Sequence, residues 1–172
     1  MKVINVHERE LNASPAGVGA LVDSLASDKD LLWPKHSWPR MKFDRPLAVG
    51  ATGGHGPIRY VVEAYTPGRS IRFRFLGPKG FNGFHGYDVI PAGYKVILRH
   101  TLEMRARGPA IVTWPLVFCP MHNALIEDAF ARAEASLGLT PTVRLWSRWV
   151  KLLRWFFSGG KAPKQITPKK GD

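Results

Sequence analysis

Three histidines carry most of the chemistry this sequence could perform. His85 shares a period of two with Tyr87 and Val89. His100 stands in the alternating run Tyr94, Val96, Leu98, His100, Leu102, Met104, interleaved with Lys95, Arg99, Glu103 and Arg105. That alternation turns one set of side chains toward a buried face. His122 falls on one arc of a helix with Phe118, Leu125, Ala129 and Ala133, with Glu127 opposite. Converging in a cavity, the three imidazoles could bind a polar group of an apolar ligand. His100 and His122 could also act as acid and base near neutral pH. The competing reading, commoner for any single histidine, is a core residue satisfied by a backbone carbonyl or water. The three share no short ligand spacing such as His-x3-His and have no inward carboxylate beside them, so no metal is expected.

The aromatic residues Tyr60, Phe73, Phe75, Tyr87, Trp114 and Phe118 are expected around the same interior, most of them as plain packing. The stretch GATGGHGP, 50–57, lacks the Gly-Lys-Ser/Thr ending of a phosphate-binding loop and leads into a strand. It reads as a mobile hairpin or cavity-mouth loop, with His55 at its tip in solvent. No serine nucleophile elbow is present, and Cys119 sits in apolar sequence where a thiol tends to be inert. No motif implies a cofactor.

The elements that must position these groups follow from period and punctuation. An extended segment at 3–11 precedes Ser14-Pro15, an N-cap followed by proline at the first helical position. Val18, Leu21, Val22 and Leu25 then recur at helical spacing to about Ser27. Asp28 onward gives at most another turn or two before Trp33-Pro34 and Trp38-Pro39 force extended backbone. From Ile58 the period is two, with turns at Thr66-Pro-Gly-Arg, Gly77-Pro-Lys-Gly and Pro91-Ala-Gly. Gly108-Pro109 ends the sheet, and a long helix runs to about Leu137, with Pro115 and Pro120 at its entry and kink. The predicted fold class is α+β, a curved antiparallel sheet wrapped around a long helix.

Composition agrees with one domain and a tail. The 172 residues are 45% hydrophobic and 11% aromatic, enough for a sizeable core. The start of the chain meets charge early and does not read as a secretory signal. No stretch reaches the roughly 18 apolar residues of a spanning helix. One cysteine excludes an intrachain disulfide and suits a reducing compartment, so a cytoplasmic protein is expected. The net charge of +12 is concentrated in residues 141–172, which hold eight basic residues against one acidic.

Residues 2 to about 138 resemble the SRPBCC superfamily, the START-like or birch-pollen-allergen-like helix-grip proteins, and particularly their polyketide cyclase/dehydrase-like bacterial members. The stretches carrying the resemblance are ELNASPAGVGALVDSL, RYVVEAYTPGRSIRFRF, GFHGYDVIPAGYKVILRHTLEM and WPLVFCPMHNALIEDAFARAEASL. It implies an internal cavity for a hydrophobic small molecule or lipid, bounded by Tyr60, Phe73, Phe75, His85, Tyr87, His100, Trp114, Phe118 and His122. If there is turnover, it implies acid/base-assisted cyclisation or dehydration. Two features depart from the pattern: the glycine-rich 50–57 connection and everything after the closing helix.

That extension divides the chain into a helix-grip domain at 1–138, an amphipathic basic helix at 139–158 and a basic tail at 159–172 expected to be disordered. On a wheel, Val143, Leu145, Trp146, Trp149, Val150, Leu152, Leu153, Phe156 and Phe157 share one half. Arg144, Ser147, Arg148, Lys151 and Arg154 oppose them, with Trp155 out of pattern. The apolar face needs a cover: the outside of its own domain, a second subunit in a homodimer, another protein, or an anionic membrane at the inner face. A membrane would meet Trp146, Trp149, Leu153, Phe156 and Phe157. Nucleic acid fits poorly, because charges and aromatics do not interleave.

Overall fold

The computed structural model of the chain describes residues 1–161 together with 164, 165, 167 and 169. Strand β1 (Lys2–Leu11) leads to helix α1 (Pro15–Asp23) and an irregular stretch at 24–41. Six strands follow: β2 (Lys42–Phe43), β3 (Thr52–His55), β4 (Ile58–Thr66), β5 (Ser70–Gly77), β6 (Phe81–Ala92) and β7 (Lys95–Ala106). Then come α2 (Ala110–Thr113), a π-helical turn (Trp114–Phe118), α3 (Cys119–Ser136) and α4 (Arg148–Phe157). The strands form one antiparallel sheet in the order β1-β7-β6-β5-β4-β3-β2. The class is α+β, with the sheet curved over α3. Register shifts in the β4–β5 pairing, between Arg59 and Tyr60 and between Val62 and Ala64, sharpen its bend.

Helix α1 starts as its capping signal requires, with Ser14 Oγ accepting from the Gly17 N–H at 3.1 Å and Pro15 opening the first turn. It ends at Asp23, short of Ser27, and no second helix follows. The Asp30 carboxylate accepts from the backbone N–H groups of Ala26, Leu32 and Trp33 at 2.7, 3.0 and 2.7 Å. This ties the segment into an irregular cap whose apolar residues Leu32, Trp33, Trp38 and Met41 join the core.

Within the glycine-rich connection residues 52–55 are strand, one arm of a β3–β4 hairpin that turns at Gly56-Pro57. β3 lies between β2 and β4, and a Cβ at Gly53 or Gly54 would stand 2.0 Å from the Lys42 carbonyl oxygen or 1.9 Å from that of Ile58. Glycine is needed here because backbones approach closely, which composition alone reads as flexibility. At the other end of the sheet Tyr94, expected inward, lies in the β6–β7 turn and is 83% exposed. The inward row begins at Val96.

The closing helix is not regular throughout. Proline at 115 and 120 cannot donate the i→i−4 bonds an α-helix needs, and the backbone between them widens into the π-helical turn. Beyond it Leu125, Ala129 and Ala133 press on the sheet, as their arc predicts. Glu127 is not solvated. Its Oε2 accepts from Arg9 at 2.8 Å and its Oε1 lies 3.3 Å from His7 Nδ1, while Arg9 also donates to Glu134 at 2.9 Å. This polar seam fastens α3 to edge strand β1.

Helix α4 folds back on the domain. Ser147 caps it through the Val150 N–H at 3.2 Å, and Trp146, Val150 and Leu153 are buried in the main core. Trp146 and Leu153 are therefore not membrane-facing. The seam formed by 146, 150 and 153 covers only the middle of a wider apolar arc. Trp149, Leu152 and Phe156 on its flank stay 47, 51 and 70% exposed. Of the tail expected to be disordered, Gln165 is fixed: its Nε2 donates to Asp128 Oδ1 at 2.7 Å and to the Arg144 carbonyl at 2.8 Å. Residues 162, 163, 166, 168 and 170–172 lie outside the described residues.

Candidate ligand cavity

A cavity of about 280 Å³ lies between the concave side of the sheet and the helices. The sheet contributes Ile58, Phe75, Phe81, His85 and Leu102, and the closing helix contributes Trp114, Phe118, Met121, His122 and Leu125. The remaining wall comes from Trp38-Pro39, His55-Gly56-Pro57, and Arg154 and Phe157 of α4. Apolar groups dominate, with a few polar atoms set among them, as in small-ligand sites generally.

Of the nine residues expected to bound a cavity, Phe75, His85, Trp114, Phe118 and His122 line this one. Tyr60, Phe73, Tyr87 and His100 do not. They are packed behind it as a layer of rings. Tyr60 and Phe73 meet His85 at centroid distances of 4.9 and 5.0 Å, and Tyr87 meets His100 at 4.7 Å. Period two correctly turned these side chains inward. Their depth depends on sheet curvature, which the pattern does not encode.

The histidines do converge. His100 Nε2 lies 3.4 Å from His85 Nδ1, and the His100 and His122 rings are 5.0 Å apart. Among the described residues, His85 Nε2, His100 Nδ1 and the hydroxyls of Tyr60 and Tyr87 are buried without a hydrogen-bond partner, and the ring nitrogens of His122 have no well-formed one, Asn123 being the polar side chain beside them. Burial, and then repulsion from His7, lowers the His122 pKa to about 3. Burial, with neighbouring imidazoles adding to it, holds His85 and His100 well below the usual range. His55, expected in solvent, is half-buried against Trp33 at 4.6 Å and faces the cavity. Burial and then Arg59 lower its pKa to about 3. All four rings are neutral at pH 7, each offering one donor and one acceptor. Among the described residues, no three His, Cys, Asp or Glu side chains are grouped as metal ligands. Burial raises the Cys119 thiol, which keeps it protonated and unreactive.

The α4 wall is held by a carboxylate outside the cavity. Asp128 Oδ2 accepts from the indole N–H groups of Trp38 at 2.7 Å and Trp146 at 2.9 Å, and Gln165 takes Oδ1. Sequence reasoning missed this node, together with the Trp38, Arg154 and Phe157 wall. Nothing in the local pattern links residue 38 to residue 146. The Trp-Pro pair at 38–39 was the one visible signal of a rigid aromatic corner.

No family model matches the chain, and no curated protein matches it by sequence. Solved structures do match. A solution structure from Thermobifida fusca aligns with a TM-score of 0.60 at 14% identity, over 82% of this chain and 99% of that one. Truncated norcoclaurine synthase from Thalictrum flavum gives 0.59 at 15% identity, over 78% and 92%. CalU16 from Micromonospora echinospora gives 0.58 at 11%, over 91% and 87%. The chain has the helix-grip fold. Within it α3 is the gripped helix and β1 to β7 are the hand, and at these identities the likeness extends to the fold alone. The helix-grip frame accounts for a space between sheet and helix, and the residues after α3 add the α4 wall to it.

Proposed function

We propose that this protein binds a hydrophobic small molecule or lipid in the cavity between β4–β7, α3 and α4. The observation carrying the reading is His122: a neutral imidazole facing a mostly apolar space of about 280 Å³, with no well-formed hydrogen bond to either ring nitrogen among the described residues. An unmade buried hydrogen bond is costly, and a ligand hydroxyl or carbonyl would make it. Native mass spectrometry of the purified full chain, with titration by the neutral fluorophore N-phenyl-1-naphthylamine, tests this. Retained small molecules or saturable uptake of the probe supports it, and protein that is empty and takes up no probe overturns it.

The alternative is a cyclase/dehydratase-like enzyme with His100 and His122 as acid and base. The same ring nitrogens favour it, but a ring with a pKa near 3 is a weak base and is not the imidazolium that a general acid must be at pH 7. Binding is therefore the better-supported role. Turnover lost in His122→Ala would reverse that order.

We further infer that the exposed flank of α4 docks on anionic membranes. Trp149, Leu152, Phe156 and Phe157 are exposed, Trp149 reaches the main chain of exposed Leu116, and Arg148 and Lys151 stand on the same helix, with no acidic residue in the sequence between Leu137 and Gly171. Among the described residues no helix is long and apolar enough to cross a membrane, so docking would be peripheral. Co-sedimentation with phosphatidylcholine vesicles, with and without phosphatidylglycerol, tests it. Binding only to the anionic vesicles supports it. No binding, or a stable dimer that buries α4, overturns it.

A further inference from the structure

Arg154 is the one formally charged residue in the cavity lining among the described residues. It is half-buried. Its Nη2 donates to the Ser37 carbonyl at 2.7 Å, and its guanidinium carbon lies 4.7 Å from the Trp38 ring centroid and 6.0 Å from that of Trp146. Its Nε is buried with no partner among the described residues. The acid that would ordinarily neutralise such a group is Asp128. Both oxygens of that carboxylate are already engaged by Trp38, Trp146 and Gln165, all neutral donors, and Arg154 makes no ion pair with it. Burial accordingly lowers the Arg154 pKa, and Asp128 offsets this only at a distance.

A half-buried guanidinium without a direct counter-ion among the described residues is a costly arrangement, and it stands at the edge of an apolar cavity. The other polar groups of the wall, His55, His85 and His122, are neutral and sit on different elements. The charge in this cavity therefore has one sign and one location. A planar acid group suits the remaining guanidinium N–H donors, and flat Trp38 beside it suits an apolar body joined to that group.

We propose that the cavity takes an amphipathic monoanion, its apolar, ring-bearing body lying among the aromatic walls and its carboxylate or sulfonate paired with Arg154 at the α4 end. This rests on the cavity-binding reading above. It assigns to α4 the selection of ligand charge, in addition to closing the wall.

Two probes with the same skeleton separate the inference from the reading beneath it. 8-Anilinonaphthalene-1-sulfonate and N-phenyl-1-naphthylamine differ only in the sulfonate. Fluorescence titration of the full chain is expected to give one saturable site at which each probe displaces the other. Arg154→Gln should weaken the sulfonate probe about tenfold or more while changing the neutral probe by less than about threefold. Equal losses for both probes would mean that Arg154 only holds the wall, and an unchanged sulfonate affinity would mean that it does not meet the anion. Either result overturns the inference and leaves cavity binding standing. Failure of both probes to bind the wild-type chain removes cavity binding itself. If Arg154→Gln does not fold, Arg154→Lys repeats the comparison: a selective loss of sulfonate affinity supports planar pairing, and no selective loss overturns it.

Discussion

The indole N–H of Trp149 donates to the main-chain carbonyl of Leu116 at 2.7 Å. In an unbroken α-helix residue 120 would donate to that carbonyl, but residue 120 is proline and has no N–H. The irregularity that two prolines impose on the closing helix thus supplies an acceptor to the C-terminal helix. It also brings the exposed side chains of the π-helical turn beside those of α4.

The two faces of α4 should respond differently to truncation. Leu153→Ala removes a core side chain and is expected to cost about 2–4 kcal/mol in urea denaturation. Phe156→Ala, at a position 70% exposed, should stay within about 0.5 kcal/mol while weakening binding to anionic vesicles. Comparable losses of stability from both would mean that the exposed flank is covered.

Removing the carboxylate that joins Trp38, Trp146 and Gln165 should loosen α4 from the domain. Asp128→Ala leaves two buried indole N–H donors unsatisfied and releases one of the two bonds made by Gln165, and a loss of about 3 kcal/mol or more is expected. Asp128→Asn keeps an acceptor for the two indoles and should lose less. Thermal melts followed by tryptophan emission would separate the two, and equal midpoints would refute the node.

Acid should destabilise the protein well before carboxylates titrate. His55 and His122 have folded pKa values of about 3, and His85 and His100 are also depressed, against about 6.5 unfolded. Between those limits the unfolded chain binds more protons, so stability rises with pH. The penalty is absent above about 6.5 and grows as pH falls toward 3, by up to about 1.4 kcal/mol per unit for each ring. Melting midpoints between pH 7.5 and 5 should fall steeply, and the slope should flatten in His100→Phe. A flat profile in the wild-type chain would contradict the burial of these rings as neutral groups.

Filling the cavity should abolish uptake without unfolding the protein. Met121 is half-buried on the cavity wall, and Met121→Trp would project an indole into the cavity. Affinity for N-phenyl-1-naphthylamine is expected to drop about tenfold or more, with a stability change within the 1–3 kcal/mol typical of overpacking. Undiminished affinity would place the probe elsewhere.

Local periodicity and punctuation are legible in the linear chain. They gave the N-cap at Ser14, the period-two strands from Ile58, the inward set of His85 and His100, and the helix arc containing His122. Side-chain direction depends on neighbours a few residues away, so these features are legible in a linear string. Only the tertiary structure decided depth and partnership. Curvature placed His85 and His122 at the cavity and left Tyr60, Tyr87 and His100 behind it. Close backbone approach made strand of Gly53 and Gly54 and carried His55 inward. Asp128 accepted from Trp38, 90 residues away in the chain, and so fixed the wall from which Arg154 faces the cavity. The middle of α4's apolar arc is covered and its flank is not, because a helix touches a domain along a narrow seam while its hydrophobic pattern spans a wider one.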